Sequence, residues 1–186
     1  LKESGINNIA LIPNPISVDL SVFAGKYNTS KKTIKSGTFV FVGHIIPAKG
    51  VIDLIKACCE IKAKIKLLLI GPVNDQFRTQ LTSLAVENNR SKLIEWIGEI
   101  PREDVFSYLE SANALCLPSY TEGFPNVIIE AMAFGCPIIA TRVGAIEEMV
   151  ILDDFGPAGI CIEPSNIQQL IDALDYVMNN SAETME

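Results

Sequence analysis

The sequence predicts an α/β fold, a doubly wound parallel sheet with helices on both faces. Three observations carry this reading. Short apolar runs alternate with helical patterns along most of the chain. The runs are near-continuously apolar, as in strands buried on both faces, and do not alternate as in half-solvated ones. At 186 residues and 48% hydrophobic, the chain suits one domain with a sizeable core.

Thr38–Val42 (TFVFV) reads as a buried strand, followed by a turn and an apolar-periodic helix from about Gly50 to Ile61. Lys66–Ile70 is a second strand, ended by Gly71 and Pro72, and Gln76–Glu87 the helix after it. Leu93–Ile97 is a strand closed by Gly98, and Pro101-Arg102-Glu103-Asp104 opens another helix with acids suited to its dipole. Ala114–Leu117 is a short strand, and the loop 119–124 leads to a helix over about Pro125–Phe134. Pro137–Thr141 and Gly159–Ile162 are further strands. The last helix is expected from Ser165 to about Asn179, with Ser165 and Gln168 as a capping box. Residues 1–36 are less regular and read as a preceding segment and linker, leaving 37–186 as the domain proper.

Composition excludes several function classes. The net charge is −7, from 22 acidic and 15 basic residues without a basic cluster, which disfavours nucleic-acid binding. One histidine and five scattered cysteines offer no metal-ligand spacing, so no metal is expected. The odd cysteine count without C-x-x-C reads as buried free thiols of a reducing, cytoplasmic setting. No apolar run is long enough to span a bilayer, and nothing at the start reads as a signal peptide. Residue 1 is Leu, so the chain is expected to begin inside a longer protein.

In an open parallel sheet, ligands sit at the carboxyl ends of strands near a topological switch point, here the loops after Val42, Ile97 and Leu117. Neither G-x-G-x-x-G nor G-x-x-x-x-G-K-[ST] is present, which disfavours dinucleotide cofactors and P-loop chemistry. D-x-D is absent too, so a bound diphosphate would need protein donors to neutralise it. The informative stretch is Pro118–Glu130, PSYTEGFPNVIIE. A strand ends, a glycine-containing loop turns, and Pro125 stands where a first helical residue would, presenting free N–H groups suited to phosphate. Gly123 permits a positive φ or a close ligand approach. Glu122 precedes the helix and Glu130 lies inside it. Eight helical residues span roughly 12 Å, wider than the ~5–5.5 Å between the carboxyls of a retaining hydrolase. Such spacing suits two groups gripping opposite ends of a long ligand with phosphates between them. Taken singly, Glu122 could merely cap its helix and Glu130 could lie on a wet face. Trp96, Phe39 and Phe41 read as core, and Gly135 and Gly144 as turn and helix-end residues.

Glu122 and Glu130 form E-x7-E, and EGFPNVIIEAMAFGCPIIAT closely resembles the signature of retaining glycosyltransferase family 4 (glycosyl transferases group 1) of the GT-B fold. Phe41-Val42-Gly43-His44 followed by Lys49-Gly50 is similar to that family's phosphate loop. Ile12-Pro13-Asn14 through Asp19 and Phe23 is similar to its interlobe segment, with irregular spacing. The resemblance implies a Rossmann-like C-terminal lobe that binds a nucleoside-diphosphate sugar, most simply a UDP-sugar, without metal or other cofactor. It implies that Glu122 faces hydroxyls of the donor sugar and that Lys49 pairs with the diphosphate and stabilises the leaving nucleotide. Gly43 and His44, and the backbone of Gly123, Phe124, Pro125, Asn126 and Val127, would hold sugar and phosphate. Glu130 would accept from ribose hydroxyls, and backbone near Ile97, Gly98 and Ile100 would meet the base.

His44 departs from the family, which usually has Arg there. A neutral imidazole cannot replace a permanently charged two-pronged donor, though a protonated one partly can. The EGFPN loop resembles bacterial enzymes of capsule, O-antigen or exopolysaccharide synthesis. It implies transfer of a hexose, at the cytoplasmic membrane face, to a lipid-linked or saccharide acceptor held by a missing N-terminal lobe. The chain alone is then expected to bind donor without catalysing transfer. A non-catalytic domain of the same fold, and a GT-B epimerase or phosphorylase-like enzyme, stay open as alternatives.

Overall fold

The computed structural model describes residues 37–152 and 156–180. The segment expected to join two lobes, with Ile12 to Phe23, lies outside them. Strands β1 (Thr38–Val42), β2 (Lys66–Ile70), β3 (Ile94–Gly98), β4 (Ala114–Leu117) and β5 (Ile138–Thr141) alternate with helices α1 (Val51–Glu60), α2 (Asp75–Glu87), α3 (Arg102–Ser111) and α4 (Asn126–Ala133). A short 3-10 turn, Pro47–Lys49, precedes α1. Then come α5 (Ile146–Val150), a small antiparallel pair β6 (Ile151–Leu152) and β7 (Gly156–Pro157), strand β8 (Gly159–Ile162) and α6 (Ile167–Asn180).

Six strands form one parallel sheet in the order β3-β2-β1-β4-β5-β8. Helix α1 packs against α2 and α6 in one layer; α3 packs against α4, and α4 against α5, in the other. This is the doubly wound, Rossmann-like arrangement. The central strands are apolar because they have no wet face: Phe39, Val40, Phe41, Leu67, Leu69, Leu115 and Cys116 are fully buried. Buried Asn113 seals the sheet's lower centre, its N–H donating to Thr38 O at 2.7 Å while its Oδ1 accepts from Thr38 N at 2.8 Å.

The strand order reverses between β1 and β4, and their ladder is short. Only Phe39 with Ala114 and Val40 with Leu115 are in register, whereas β1 and β2 pair over five residues. The carboxyl ends of β1 and β4 therefore leave the ladder, at the switch point where such folds bind ligands.

Three local expectations need correction. The last helix is capped by Asn166, whose Oδ1 accepts from Gln169 N at 3.0 Å, and not by Ser165, which adopts φ 61 before it. Gln169 in turn accepts from Glu163 N at 2.8 Å, and Gln168 bonds Asp172 along the helix. Pro125 is the N-cap of α4, at φ −74 and ψ 111, one position earlier than a first helical residue. Trp96 is only partly buried, with the Arg78 guanidinium over its ring at 5.0 Å. Of the two options at Gly123, the second is the one that fits: it takes no positive φ and has open space where a β-carbon would stand.

Candidate functional site

Two loops meet above the parting of β1 and β4. The first leaves β1 through Gly43 and His44, turns at Pro47–Lys49 and enters α1 at Gly50, in left-handed conformation at φ 67. A β-carbon at Gly50 would run into the Pro118 carbonyl, so only glycine lets the loops approach this closely. The second loop leaves β4 at Pro118 and is stitched to the first where Tyr120 N donates to Ala48 O at 2.9 Å. Tyr120 Oη also donates to Asp53 Oδ2, in the first turn of α1, at 2.7 Å.

This stitching brings the two candidate catalytic residues together. Lys49 Nζ lies 2.6 Å from Glu122 Oε1, and Ser119 Oγ donates to the same oxygen at 2.7 Å. Ser119 is fully buried and its carbonyl accepts from Thr141 Oγ1 at 2.5 Å, so the chain of bonds reaches back to β5. Gly144, at φ 58, backs the loop from behind; a β-carbon there would strike the carbonyls of Glu122 and Gly123. The Gly123 carbonyl accepts from Ala145 N at 3.0 Å. Glu122 and Lys49 are largely covered, with 9% and 25% of their side chains exposed.

Helix α4 begins directly after this loop, with no side chain capping its N-terminus. Its first-turn N–H groups, from Asn126 and Val127, thus face the loop end without an internal side-chain acceptor. Asn126 Oδ1 is buried without a hydrogen-bond partner. Phe124 and Val127 are half-buried against the core.

One turn on, Glu130 is only 6% exposed, which removes the reading of a wet-face residue. Arg102 Nε donates to Glu130 Oε1 at 2.6 Å, and Arg102 Nη2 pairs with the same oxygen. Arg102 is the first residue of α3, two positions past Ile100, so the β3–α3 connection is drawn to α4. Ile97 and Gly98 at the end of β3, and Ile100 on the connection, are half-buried, and Gly98 O accepts from Gly71 N at 2.8 Å. His44 is exposed, with its carbonyl accepting from Ile46 N at 3.1 Å.

Among the described residues no group of three His, Cys, Asp or Glu converges to hold a metal. Nor is any helix among them long and apolar enough to cross a membrane. A shallow groove of about 270 Å³ lies apart from the site, at the β8 edge against α6. Its lining is mostly apolar, from Ile160, Cys161, Ala173 and Tyr176.

The family model described as glycosyl transferases group 1 matches residues 27–186. This chain is a member of that family.

An uncharacterized glycosyltransferase of Haemophilus influenzae is 32% identical over 181 residues, covering 94% of this chain and 46% of its own length. Sucrose-phosphate synthase from Thermosynechococcus elongatus superposes with a TM-score of 0.74 at 28% identity, over 90% of this chain and 43% of that one. Anabaena HepE in complex with UDP superposes at 0.70 and 19% identity, over 89% of this chain and 44% of that one, a likeness of fold. The chain spans less than half the length of these curated relatives.

Within this group 1 glycosyltransferase chain, sequence reasoning reached Lys49, Glu122 and Glu130 but missed Arg102, Ser119, Tyr120 and Asp53. Arg102 read as an ordinary first-turn residue. Nothing local marks a guanidinium whose partner stands 28 positions away. Ser119 and Tyr120 stood inside the motif, and their hydroxyls beside a loop carboxylate were the available signal.

Proposed function

We propose that this chain is the C-terminal, donor-binding lobe of a retaining family 4 glycosyltransferase, taking a nucleoside-diphosphate hexose, UDP-linked. The observation that carries the reading is the convergence of Lys49 and Glu122 at the switch point, beside the uncapped N-terminus of α4.

The arrangement suits the parts of such a donor in order. Glu122, with one oxygen already held by Ser119, offers the other to hydroxyls of the sugar. The α4 N-terminus and the ammonium of Lys49 take the diphosphate. The leaving nucleotide gains negative charge as the glycosidic bond breaks, and a cation positioned there stabilises that charge with no metal required. Glu130, buried and anchored, accepts from the ribose, and the Gly98–Ile100 backbone borders the base. The UDP bound to Anabaena HepE supports the choice of nucleotide. The acceptor, lipid-linked or saccharide, belongs to an N-terminal lobe, and the EGFPN loop favours a product in bacterial surface polysaccharide. The whole enzyme would work at the cytoplasmic membrane face.

The test is a titration of this chain with UDP, GDP, ADP and CMP in EDTA, read by thermal midpoint and calorimetry. A ligand at about 100 times its Kd stabilises the fold by about 2.7 kcal/mol, well within reach of a thermal shift. Binding of one nucleoside diphosphate, lost in Glu130→Ala and weakened in Lys49→Ala, supports the reading. A folded chain that binds none of the four contradicts it and favours a non-catalytic domain.

A further inference from the structure

We propose that Arg102 is a positioning residue, which aims the carboxylate of Glu130 at the ribose hydroxyls of the bound donor. The inference rests on the donor-lobe reading above and adds a residue to it.

The geometry is specific. Nε of Arg102 donates to Glu130 Oε1 at 2.6 Å, and Nη2 pairs with that same oxygen. Both contacts converge on Oε1, which leaves Oε2 as the oxygen a ligand hydroxyl can approach. A guanidinium that meets one carboxylate oxygen through two nitrogens holds that oxygen in place more firmly than a point-charge ammonium does. The grip matters here because Glu130 is 6% exposed, on a helix otherwise lined by Ile128, Ile129 and Ala131. A buried carboxylate without a partner carries a heavy desolvation cost, so Glu130 could not hold this position alone.

Arg102 also links two parts of the ligand site. It begins α3 directly after the turn that carries Gly98 and Ile100, the residues set to border the base. Base and ribose contacts are thereby fixed relative to one another by a single side chain crossing between α3 and α4.

The experiment compares UDP with 2′-deoxy-UDP by calorimetry in the 186-residue chain and in Arg102→Gln, Arg102→Lys, Glu130→Gln and the Arg102→Gln/Glu130→Gln double variant. Circular dichroism checks folding in each. The unaltered chain should prefer the ribonucleotide by about tenfold or more, the worth of a hydrogen bond to a charged acceptor. Glu130→Gln and Arg102→Gln should each bring that preference toward parity, Arg102→Lys should restore part of it, and the double variant should be no worse than either single one. A folded Arg102→Gln that keeps the full preference overturns the inference. So does one that weakens both nucleotides by the same large factor, since that marks a direct contact of Arg102 with the diphosphate. Should Arg102→Gln not fold, Arg102→Lys decides: a preference equal to that of the unaltered chain is the overturning result. Failure of the unaltered chain to bind any nucleoside diphosphate is a different outcome, which brings down the donor-lobe reading itself.

Discussion

Lys49 and Glu122 are 73 positions apart in sequence and 2.6 Å apart in space, and each occupies the other's charge. A diphosphate arriving at Lys49 must therefore compete with a carboxylate already there. Glu122 is bound twice through Oε1, to Lys49 and to Ser119, so the loop is held in shape before any ligand enters. This preorganisation has a cost: the ion pair must loosen when phosphate takes the ammonium.

Glu122→Gln should consequently tighten the binding of free UDP, by several-fold, while removing any advantage of UDP-sugar over UDP. The amide keeps the Ser119 bond but neither competes for Lys49 nor repels phosphate. A change of about 1 kcal/mol, the scale of a partly exposed ion pair, is about fivefold in Kd. Calorimetry with UDP and a UDP-hexose checks it, and weaker UDP binding in this variant would mean that Glu122 serves the nucleotide itself.

Gly144→Ala should damage ligand binding out of proportion to its size. The residue sits at φ 58, and its added methyl would strike the backbone carbonyls of Glu122 and Gly123. Strain of this kind costs about 1–3 kcal/mol, and here relief comes only by moving the loop that carries Glu122. Thermal denaturation should show a lowered midpoint in a chain that still folds, with nucleotide affinity lost. Undiminished affinity would place the ligand away from this loop.

Tyr120 should give the chain an alkaline limit. Tyr120 is 41% exposed, and the partial desolvation of its ring, then its hydrogen bond to Asp53, raise the phenol from 10.0 to about 12. A raised acid is protonated in the folded chain when the unfolded chain has already ionised. Its contribution to stability is thus complete below pH 10 and lost as pH climbs toward 12. Phenolate absorbance should show one late-titrating tyrosine that disappears in Tyr120→Phe, together with part of the loss of stability in that window. An unchanged titration in the variant would break the Tyr120–Asp53 assignment.

Much of the fold was legible because buried parallel strands leave a plain mark. The runs at Thr38–Val42, Lys66–Ile70 and Ala114–Leu117 carry apolar side chains toward both faces, and their observed bounds coincide with the apolar runs. The thiols followed the same logic. Cys58, Cys116 and Cys136 are buried in those layers, burial drives all three upward, and Cys136 reaches about 12. Cys59 and Cys161 are only half covered.

The parts that escaped are short or depend on distance. Helix α5 is five residues with two glutamates in its first turn, too brief for a period to show. The Asn166 cap lay one residue from the expected Ser165 because Ser-Asn followed by Gln-Gln satisfies the same pattern in two registers. Of the site, Glu122 and Glu130 were marked by their spacing, and Lys49 by the resemblance of its loop to the family's phosphate loop. Arg102 was not, since only the packing of α3 on α4 makes it a neighbour of Glu130.

The two-rung ladder between β1 and β4 has a mechanical consequence. By its backbone, the sheet is least stitched along its own midline, and Lys49 hangs from one side of that line while Glu122 hangs from the other. A molecule gripped by both residues is a cross-brace over the seam. The two three-stranded halves are otherwise joined by the Asn113–Thr38 bonds, the Tyr120–Ala48 bond and the packing of α1 on α6; with the brace added, amide exchange in β2 and in β5 should slow together.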